Sequence, residues 1–218
     1  CEKSLENIKS GIEFVSKDER ARLAFCFMNT VMSEKRKNDF RNDKEKQNLS
    51  WREFQMAFIL QSLRGVAGDD EGQRNVSDVL WYPTGGGKTE AYLGITIFTI
   101  AYRRLLPDNQ LVDANGQKLN NDGGVAVLSR YTLRLLTIQQ FQRALGAFVV
   151  ADIKRVKNWL PENHTDFVDK TLNKKYTSGN LWGLARFSIG LWIGSAATPG
   201  RFAYMSGDKG KIIPNAEG

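Results

Sequence analysis

Three glycines followed by a lysine and a threonine form the segment of this sequence that could do chemistry. The segment 83–90 reads Pro-Thr-Gly-Gly-Gly-Lys-Thr-Glu. Consecutive glycines let backbone N–H groups turn towards an anion with no Cβ in the way. Lys88 would then reach the β- and γ-phosphates of a nucleotide, and the Thr89 hydroxyl would ligate Mg²⁺. The segment therefore predicts a binding site for a nucleoside triphosphate and Mg²⁺.

The residues around the glycines fit a phosphate-binding loop. Residues 76–81 are rich in branched and aromatic side chains, which predicts a buried strand. Residues 91–102 continue for too long to be a strand and predict a core helix, whose N-terminus attracts anions. Strand, glycine turn and helix follow in the order that such a loop requires. Tyr82 departs from the usual pattern, and a glycine turn that contains a lysine by chance is the alternative interpretation.

Length and composition set the wider limits. The chain has 218 residues, enough for one α/β domain plus an appendage. Its net charge of +7 and isoelectric point near 9.4 favour a polyanionic partner. No apolar run is long enough to cross a bilayer, so we expect no membrane contact. Cys1, Cys26 and His164 have no metal-ligand spacing, and we therefore expect a cytoplasmic protein. The start at Cys1 and the polar end at Gly218 predict that the sequence is part of a longer protein.

The first part of the chain reads as helical. A helix is predicted up to about Met32, and either Asp18 or Ser16 could cap it. The mixed-charge run 33–48 has almost nothing to bury, which predicts a solvated linker. We therefore expect residues 1–48 to form a helical N-terminal appendage followed by a charged linker.

A second helix carries two candidate nucleotide contacts. Ser50 and Glu53 match a capping box, so this helix is predicted to begin there and to end near Gly65. Arg52 and Gln55 lie in its first turn, one loop before the glycines. The Gln55 amide can both donate and accept, as recognition of an adenine edge requires. A surface glutamine with no such role is the alternative.

Basic residues follow the next predicted strand, 125–128. Arg130, Tyr131, Thr132 and Arg134 form a turn that leads into a long helix. Their donors, together with the helix N-terminus, could hold the phosphates of a nucleic acid. A basic turn on the protein surface is the alternative.

A third strand, 187–194, leads into another turn with polar and basic residues. Thr198, Gly200 and Arg201 lie in this turn, and Arg201 is a further candidate for a phosphate contact. In a parallel sheet, both turns would emerge at the same edge as the glycine loop. The predicted fold is therefore a mostly parallel α/β sheet flanked by helices, with the nucleotide at the strand ends.

The acidic pair that nucleotide hydrolysis needs is not evident. The acidic run 69–71 precedes the glycine loop, which is the wrong order, and Asp152 lies inside a helical pattern. We therefore expect the acidic motif to lie beyond Gly218, and this segment alone to be inactive.

These segments together resemble motifs of superfamily 2 helicases. The glycine loop resembles motif I, the segment 136–139 resembles motif Ia, and the segment 198–201 resembles motif Ib. The combination of the segments 51–55, 81–94 and 130–141 is similar to the helicase subunits of DISARM anti-phage defence systems. The resemblance implies a partial first RecA-like lobe over residues 49–218, with the second lobe absent.

The resemblance also implies a DNA-dependent ATPase that works with a companion subunit of the DISARM system. Its implied ATP-binding residues are Arg52, Gln55, Thr84, Gly85, Gly86, Gly87, Lys88, Thr89 and Glu90, with Thr89 also as Mg²⁺ ligand. Its implied DNA-binding residues are Arg130, Tyr131, Thr132, Arg134, Thr198, Gly200 and Arg201. Two other classes of protein stay open: a P-loop phosphotransferase with a small-molecule acceptor, and a DNA-binding module that senses nucleotide without hydrolysing it.

Overall fold

The computed structural model describes most of the chain. The described residues are 2–47, 50–68, 72, 75–83, 85–107, 111–112, 117–119, 121–131, 134–164, 167–192, 203–206 and 211–214. Over these residues the helices are α1 (Glu2–Lys17), α2 (Glu19–Asp39), α3 (Lys44–Gln47), α4 (Glu53–Ala67), α5 (Lys88–Leu105), α6 (Arg134–Val156) and α7 (Lys170–Thr177). The strands are β1 (Leu111–Val112), β2 (Lys118–Leu119), β3 (Ala203–Ser206) and β4 (Lys211–Pro214).

Helix α2 lies at the centre of the packing and contacts α1, α5 and α6, while α4 packs against α1 and α5. The predicted cap at Asp18 is confirmed, because its carboxylate accepts a hydrogen bond from Ala21 N at 2.7 Å. Leu23, Phe27 and Met28 of α2 are almost completely buried. The N-terminal helices thus belong to the same core as α4 and α5. None of the helices in the described part has the length and apolar character needed to cross a membrane.

An aromatic cluster attaches the segment after α7 to this core. The Phe27 ring lies 4.2 Å from the Trp182 ring and 6.1 Å from the Phe187 ring, measured between centroids. Trp182 is fully buried, and its indole N–H donates to the Trp159 carbonyl at 2.7 Å. A buried indole needs such a partner for its N–H, so the cluster is apolar while the Trp182 N–H keeps a hydrogen bond.

A buried ion pair holds the C-terminal end of α5. Arg104 is 5% exposed and pairs with Asp122 at 2.7 Å. Asp122 also accepts hydrogen bonds from the backbone N–H groups of Leu184 and Ala185, at 2.9 and 3.1 Å. The Arg104 guanidinium lies over the Phe187 ring, 4.8 Å from its centroid. One charged pair therefore joins α5 to two later segments of the chain.

The predicted RecA-like α/β fold with a parallel sheet is wrong for the described residues. The predicted strands 76–81, 125–128 and 187–192 form no strand there, and positions 193–194 lie outside the described residues. The strand pairs that form, β1 with β2 and β3 with β4, are both antiparallel and two-stranded. Several large side chains of the predicted strands are instead exposed, namely Val79 at 85%, Trp81 at 93%, Val125 at 83% and Leu128 at 88%.

The physical reason is that a strand needs a neighbouring backbone as well as suitable side chains. Branched and aromatic residues mark a segment that fits a half-buried pleated surface, and this preference depends strongly on context. Here the helices bury their apolar faces against one another, and the three segments have no ladder partner among the described residues. Phe187 of the third segment still packs into the helical core, but as part of the aromatic cluster and not of a sheet.

Two predicted boundaries also differ. The charged run 33–48 is not simply a linker, because α2 continues through it to Asp39. Lys35 in this run is 7% exposed and pairs with Asp39. Helix α4 passes the predicted stop at Gly65 and ends at Ala67, with Gly68 as its C-cap at a left-handed φ of 75°. The predicted domain division at residue 48 stays a prediction.

Replacing Asp122 with alanine should destabilise the fold. Arg104 would then keep its charge in a buried position without its carboxylate partner, so the free energy of unfolding should fall by about 3 kcal/mol. Urea denaturation followed by circular dichroism measures this change. The control is Glu13→Ala, which removes an exposed pair with Lys17 and should leave stability almost unchanged. Equal stability of the two variants would contradict the role of the buried pair.

Candidate functional site

The three glycines form a tight turn directly before α5. Gly85 and Gly87 have φ values of 77° and 95°, which L-residues with side chains rarely adopt. Gly86 N donates to the Pro83 carbonyl at 3.2 Å and closes the turn. A Cβ on Gly86 would lie 2.5 Å from the Tyr82 ring, so no larger residue fits there. Thr84 lies outside the described residues.

Two side chains at the start of α4 hold this turn. Arg52 Nη1 donates to the Gly86 carbonyl at 2.9 Å, and Gln55 Nε2 donates to the Gly87 carbonyl at 2.7 Å. In a trans peptide the C=O and the following N–H point in opposite directions. Because both carbonyls point to α4, the N–H groups of Gly87 and Lys88 point away from it. Arg52 and Gln55 therefore set the direction of the backbone donors in the turn.

Gln55 is itself fixed by the end of its helix. Its Oε1 accepts from Arg52 N at 2.9 Å, and the side chain is only 6% exposed. Arg52 is the N-cap residue of α4, so the capping box predicted from Ser50 and Glu53 lies two residues too early. The adenine contact predicted for Gln55 stays a prediction, while its contact with the glycine turn is a role that the sequence did not reveal.

Tyr82 anchors the entrance to the turn. Its ring stacks on Phe54 of α4, with 3.7 Å between centroids and 14° between the planes. The same ring lies against Gly86. Tyr82 is the position where the sequence departs from the usual loop pattern, and the stacking explains how a large residue is accommodated there. The signal for this stacking that was available in the sequence was an aromatic residue at the start of α4 and another before the glycines.

Lys88, Thr89 and Glu90 form the first turn of α5. The Lys88 ammonium donates to the carbonyls of Tyr82 and Pro83, the latter at 3.1 Å, so it lies against the entrance of the glycine turn. Gly87 caps the helix without a side-chain hydrogen bond. The turn therefore combines a helix N-terminus, a nearby ammonium group and oriented backbone donors, and these are the features that bind phosphate oxygens.

The arrangement suits a phosphate chain on structural grounds. A Cβ on Gly85 would meet no atom within 4 Å, so space is open on that side of the turn. A Cβ on Gly87 would lie 2.7 Å from Gln55 Nε2, so the backbone there must be bare. The site offers an ammonium group, backbone N–H groups and a threonine hydroxyl. This set matches a phosphate and its Mg²⁺ rather than a metal held by protein carboxylates.

The predicted DNA-binding residues are only partly described. Arg130 is exposed and Tyr131 half-buried, and both line an open groove of about 990 Å³ along α4 and α5. Burial raises the pKa of the Tyr131 hydroxyl, and the nearby positive charge of Arg143 opposes that change. Arg134 is the first residue of α6. The side chain of Arg134 and the residues Thr132, Thr198, Gly200 and Arg201 lie outside the described part.

Asp152, the acidic candidate inside a helical pattern, has a structural role. Its Oδ1 accepts from Arg155 Nε at 2.6 Å and from Phe187 N at 3.1 Å. The hydrogen bond from Arg155 lowers the pKa of this carboxyl. Asp152 thus fastens the segment around Phe187 to α6, away from the glycine turn. The acidic run 69–71 lies outside the described residues.

One ion pair near the turn was not predicted. Arg143 of α6 donates to the Glu90 carboxylate in the first turn of α5. The two residues are 53 positions apart, and no spacing in the sequence connects them. The pair places α6 beside the candidate site, in addition to α4 and α5.

The described fold and site thus define a helical protein with a glycine turn suited to phosphate. No protein-family model matches the sequence. The chain is 38% identical over 210 residues to the DISARM protein DrmA of Bacillus paralicheniformis. The match covers 91% of this chain and 16% of that relative, so the chain is similar along most of its length to one part of a much longer protein. This similarity supports the predicted resemblance to a DISARM component of the DrmA type.

Exchange of Gln55 for glutamate should show whether it holds the turn or reads the base. A carboxylate can still accept from Arg52 N, but it cannot donate to the Gly87 carbonyl. If Gln55 holds the turn, affinity for ATP and for GTP should fall by the same factor, about tenfold. Fluorescence titration with labelled nucleotides measures both affinities.

The matched control is Gln61→Glu, on the same helix but in the groove rather than at the turn. It should leave both affinities almost unchanged. A fall in ATP affinity alone would assign Gln55 to adenine recognition, and no fall in either would contradict both roles.

Proposed function

We propose that this chain is part of an ATP-dependent DNA helicase or translocase of a DISARM anti-phage defence system. The observation that carries the proposal is the glycine turn at the N-terminus of α5, oriented by Arg52 and Gln55 and adjoining Lys88. The similarity to DISARM protein DrmA over 91% of the chain supports the assignment to this system. A companion subunit of the same system would complete the assembly.

Different residues of the turn would contact different parts of ATP and its Mg²⁺. The backbone N–H groups of Gly87 and Lys88, which point away from α4, would contact the phosphate chain together with Thr84. The Lys88 ammonium would leave its loop carbonyls to contact the β- and γ-phosphates. Mg²⁺, when bound, offsets the charge that develops on the phosphates, and the Thr89 hydroxyl would hold it. Arg52 and Gln55 keep the turn in shape so that little ordering is needed on binding.

DNA would bind through its phosphates at the turn before α6. Arg130 is exposed there, Tyr131 lies beside it, and Arg134 begins the helix. Arg201 would add a contact from the later basic turn. Contacts of this kind fix the position of DNA without reading its sequence, and the net charge of +7 favours them.

Replacing Lys88 with alanine in the full-length protein should lower ATP turnover at least tenfold, and by about a hundredfold if the ammonium stabilises the transferred phosphoryl group. A coupled phosphate-release assay measures the turnover. Lys170→Ala, an exposed lysine on α7, is the control and should turn over ATP normally. Near-normal activity of Lys88→Ala would contradict the site. ATP binding without any turnover in the unaltered protein would favour a nucleotide-sensing module.

Replacing both Arg130 and Arg201 with alanine should weaken binding of all DNA sequences about equally. The slope of log affinity against log salt should flatten by roughly one unit for each DNA phosphate that is no longer neutralised. Fluorescence anisotropy at several salt concentrations measures both effects, and ATP binding without DNA should hardly change.

The control for this prediction is the double variant Arg41→Ala, Lys44→Ala, which removes two exposed charges elsewhere. Its salt slope should equal that of the unaltered protein. An unchanged slope in the Arg130 and Arg201 variant would mean that these arginines belong to an ordinary basic surface.

A further inference from the structure

Glu90 of α5 lies between the glycine turn and helix α6. One of its carboxylate oxygens accepts a hydrogen bond from Arg143 of α6. The other oxygen lies 3.5 Å from the position that a Cβ on Gly87 would occupy, so the carboxylate is close to the turn. The pair is partly shielded, with Glu90 26% and Arg143 44% exposed.

Arg143 belongs to the helix that follows the candidate DNA-binding turn. Burial raises the pKa of the hydroxyl of Tyr131, which is next to the exposed Arg130, and the positive charge of Arg143 opposes that change. Helix α6 begins at Arg134, so Arg143 lies roughly 13 Å further along the helix, at 1.5 Å per residue. One helix therefore connects the candidate DNA-binding turn to the carboxylate beside the candidate phosphate site.

We propose that Arg143 is a positioning residue that couples DNA binding to nucleotide binding through Glu90. The inference rests on the proposed function. A carboxylate beside the turn repels a phosphate chain, and pairing with Arg143 offsets that repulsion. DNA phosphates on the turn before α6 would hold this helix, and with it Arg143, in the position that neutralises Glu90.

The arrangement has a measurable thermodynamic consequence. If DNA raises the affinity for ATP by some factor, ATP must raise the affinity for DNA by the same factor. We expect a factor of about ten in the full-length protein, a value ordinary for two coupled sites. Removal of the Arg143 charge should bring this factor close to one while each ligand still binds by itself.

The experiment measures four dissociation constants in the full-length protein: a non-hydrolysable ATP analogue with and without DNA, and DNA with and without the analogue. The variants are Arg143→Gln, Arg143→Lys, Glu90→Ala and the double variant Arg143→Gln, Glu90→Ala. Arg143→Gln should lose the coupling, and Arg143→Lys should retain most of it because the charge remains. The double variant should lose no more coupling than Arg143→Gln alone, since the two residues act as a pair.

Gln142→Ala is the control, because Gln142 is an exposed neighbour on the same helix, and it should keep the full coupling. Coupling that persists in Arg143→Gln, or losses that add independently in the double variant, would overturn the inference alone. An unaltered protein that binds ATP and DNA without coupling would also overturn it. An unaltered protein that binds neither ligand would overturn the proposed function itself. Thermal melting of each variant separates these outcomes from a loss of folding.

Discussion

The hydrogen bonds from Arg52 and Gln55 to the carbonyls of Gly86 and Gly87 are the contacts on which the candidate site depends. A turn of glycines has no side chains with which to hold its own shape, and glycine loses more conformational freedom on ordering than any other residue. The first turn of α4 holds the glycine turn in shape through these two hydrogen bonds. Helix α4 must then be fixed itself, which its packing against α1 and α5 and the complete burial of Ile59 achieve.

Helix α5 is held in place along its whole length. It begins with Lys88 at the glycine turn and ends one residue after Arg104, whose buried pair with Asp122 joins it to later segments. Between these ends it packs against α2 and α4. A site is precise only when the residues that support it are fixed in turn. The aromatic cluster and the buried ion pair lie away from the glycine turn, yet both limit how far α5 can move.

Features that depend on a few neighbouring residues could be predicted from the sequence, and features that depend on distant partners could not. The cap at Asp18 and the helix after the glycines follow from local chemistry, and both are present. The apolar runs 76–81 and 125–128 failed as strands because a strand requires a second backbone, which no pattern within the run can supply. The pair of Glu90 with Arg143 depends on how α5 and α6 pack, so it had no signal in the sequence.

Holding the glycine turn uses only half of the hydrogen-bonding groups of the Gln55 amide. A glutamine amide has two N–H donors and an oxygen with two lone pairs. One donor is engaged by the Gly87 carbonyl and one lone pair by Arg52 N, so one donor and one acceptor position remain. A purine edge presents the complementary acceptor and donor. Because the amide is buried and fixed at both of its polar atoms, the remaining positions have a set direction, and the same two bonds that shape the phosphate turn would pre-orient a contact to the base.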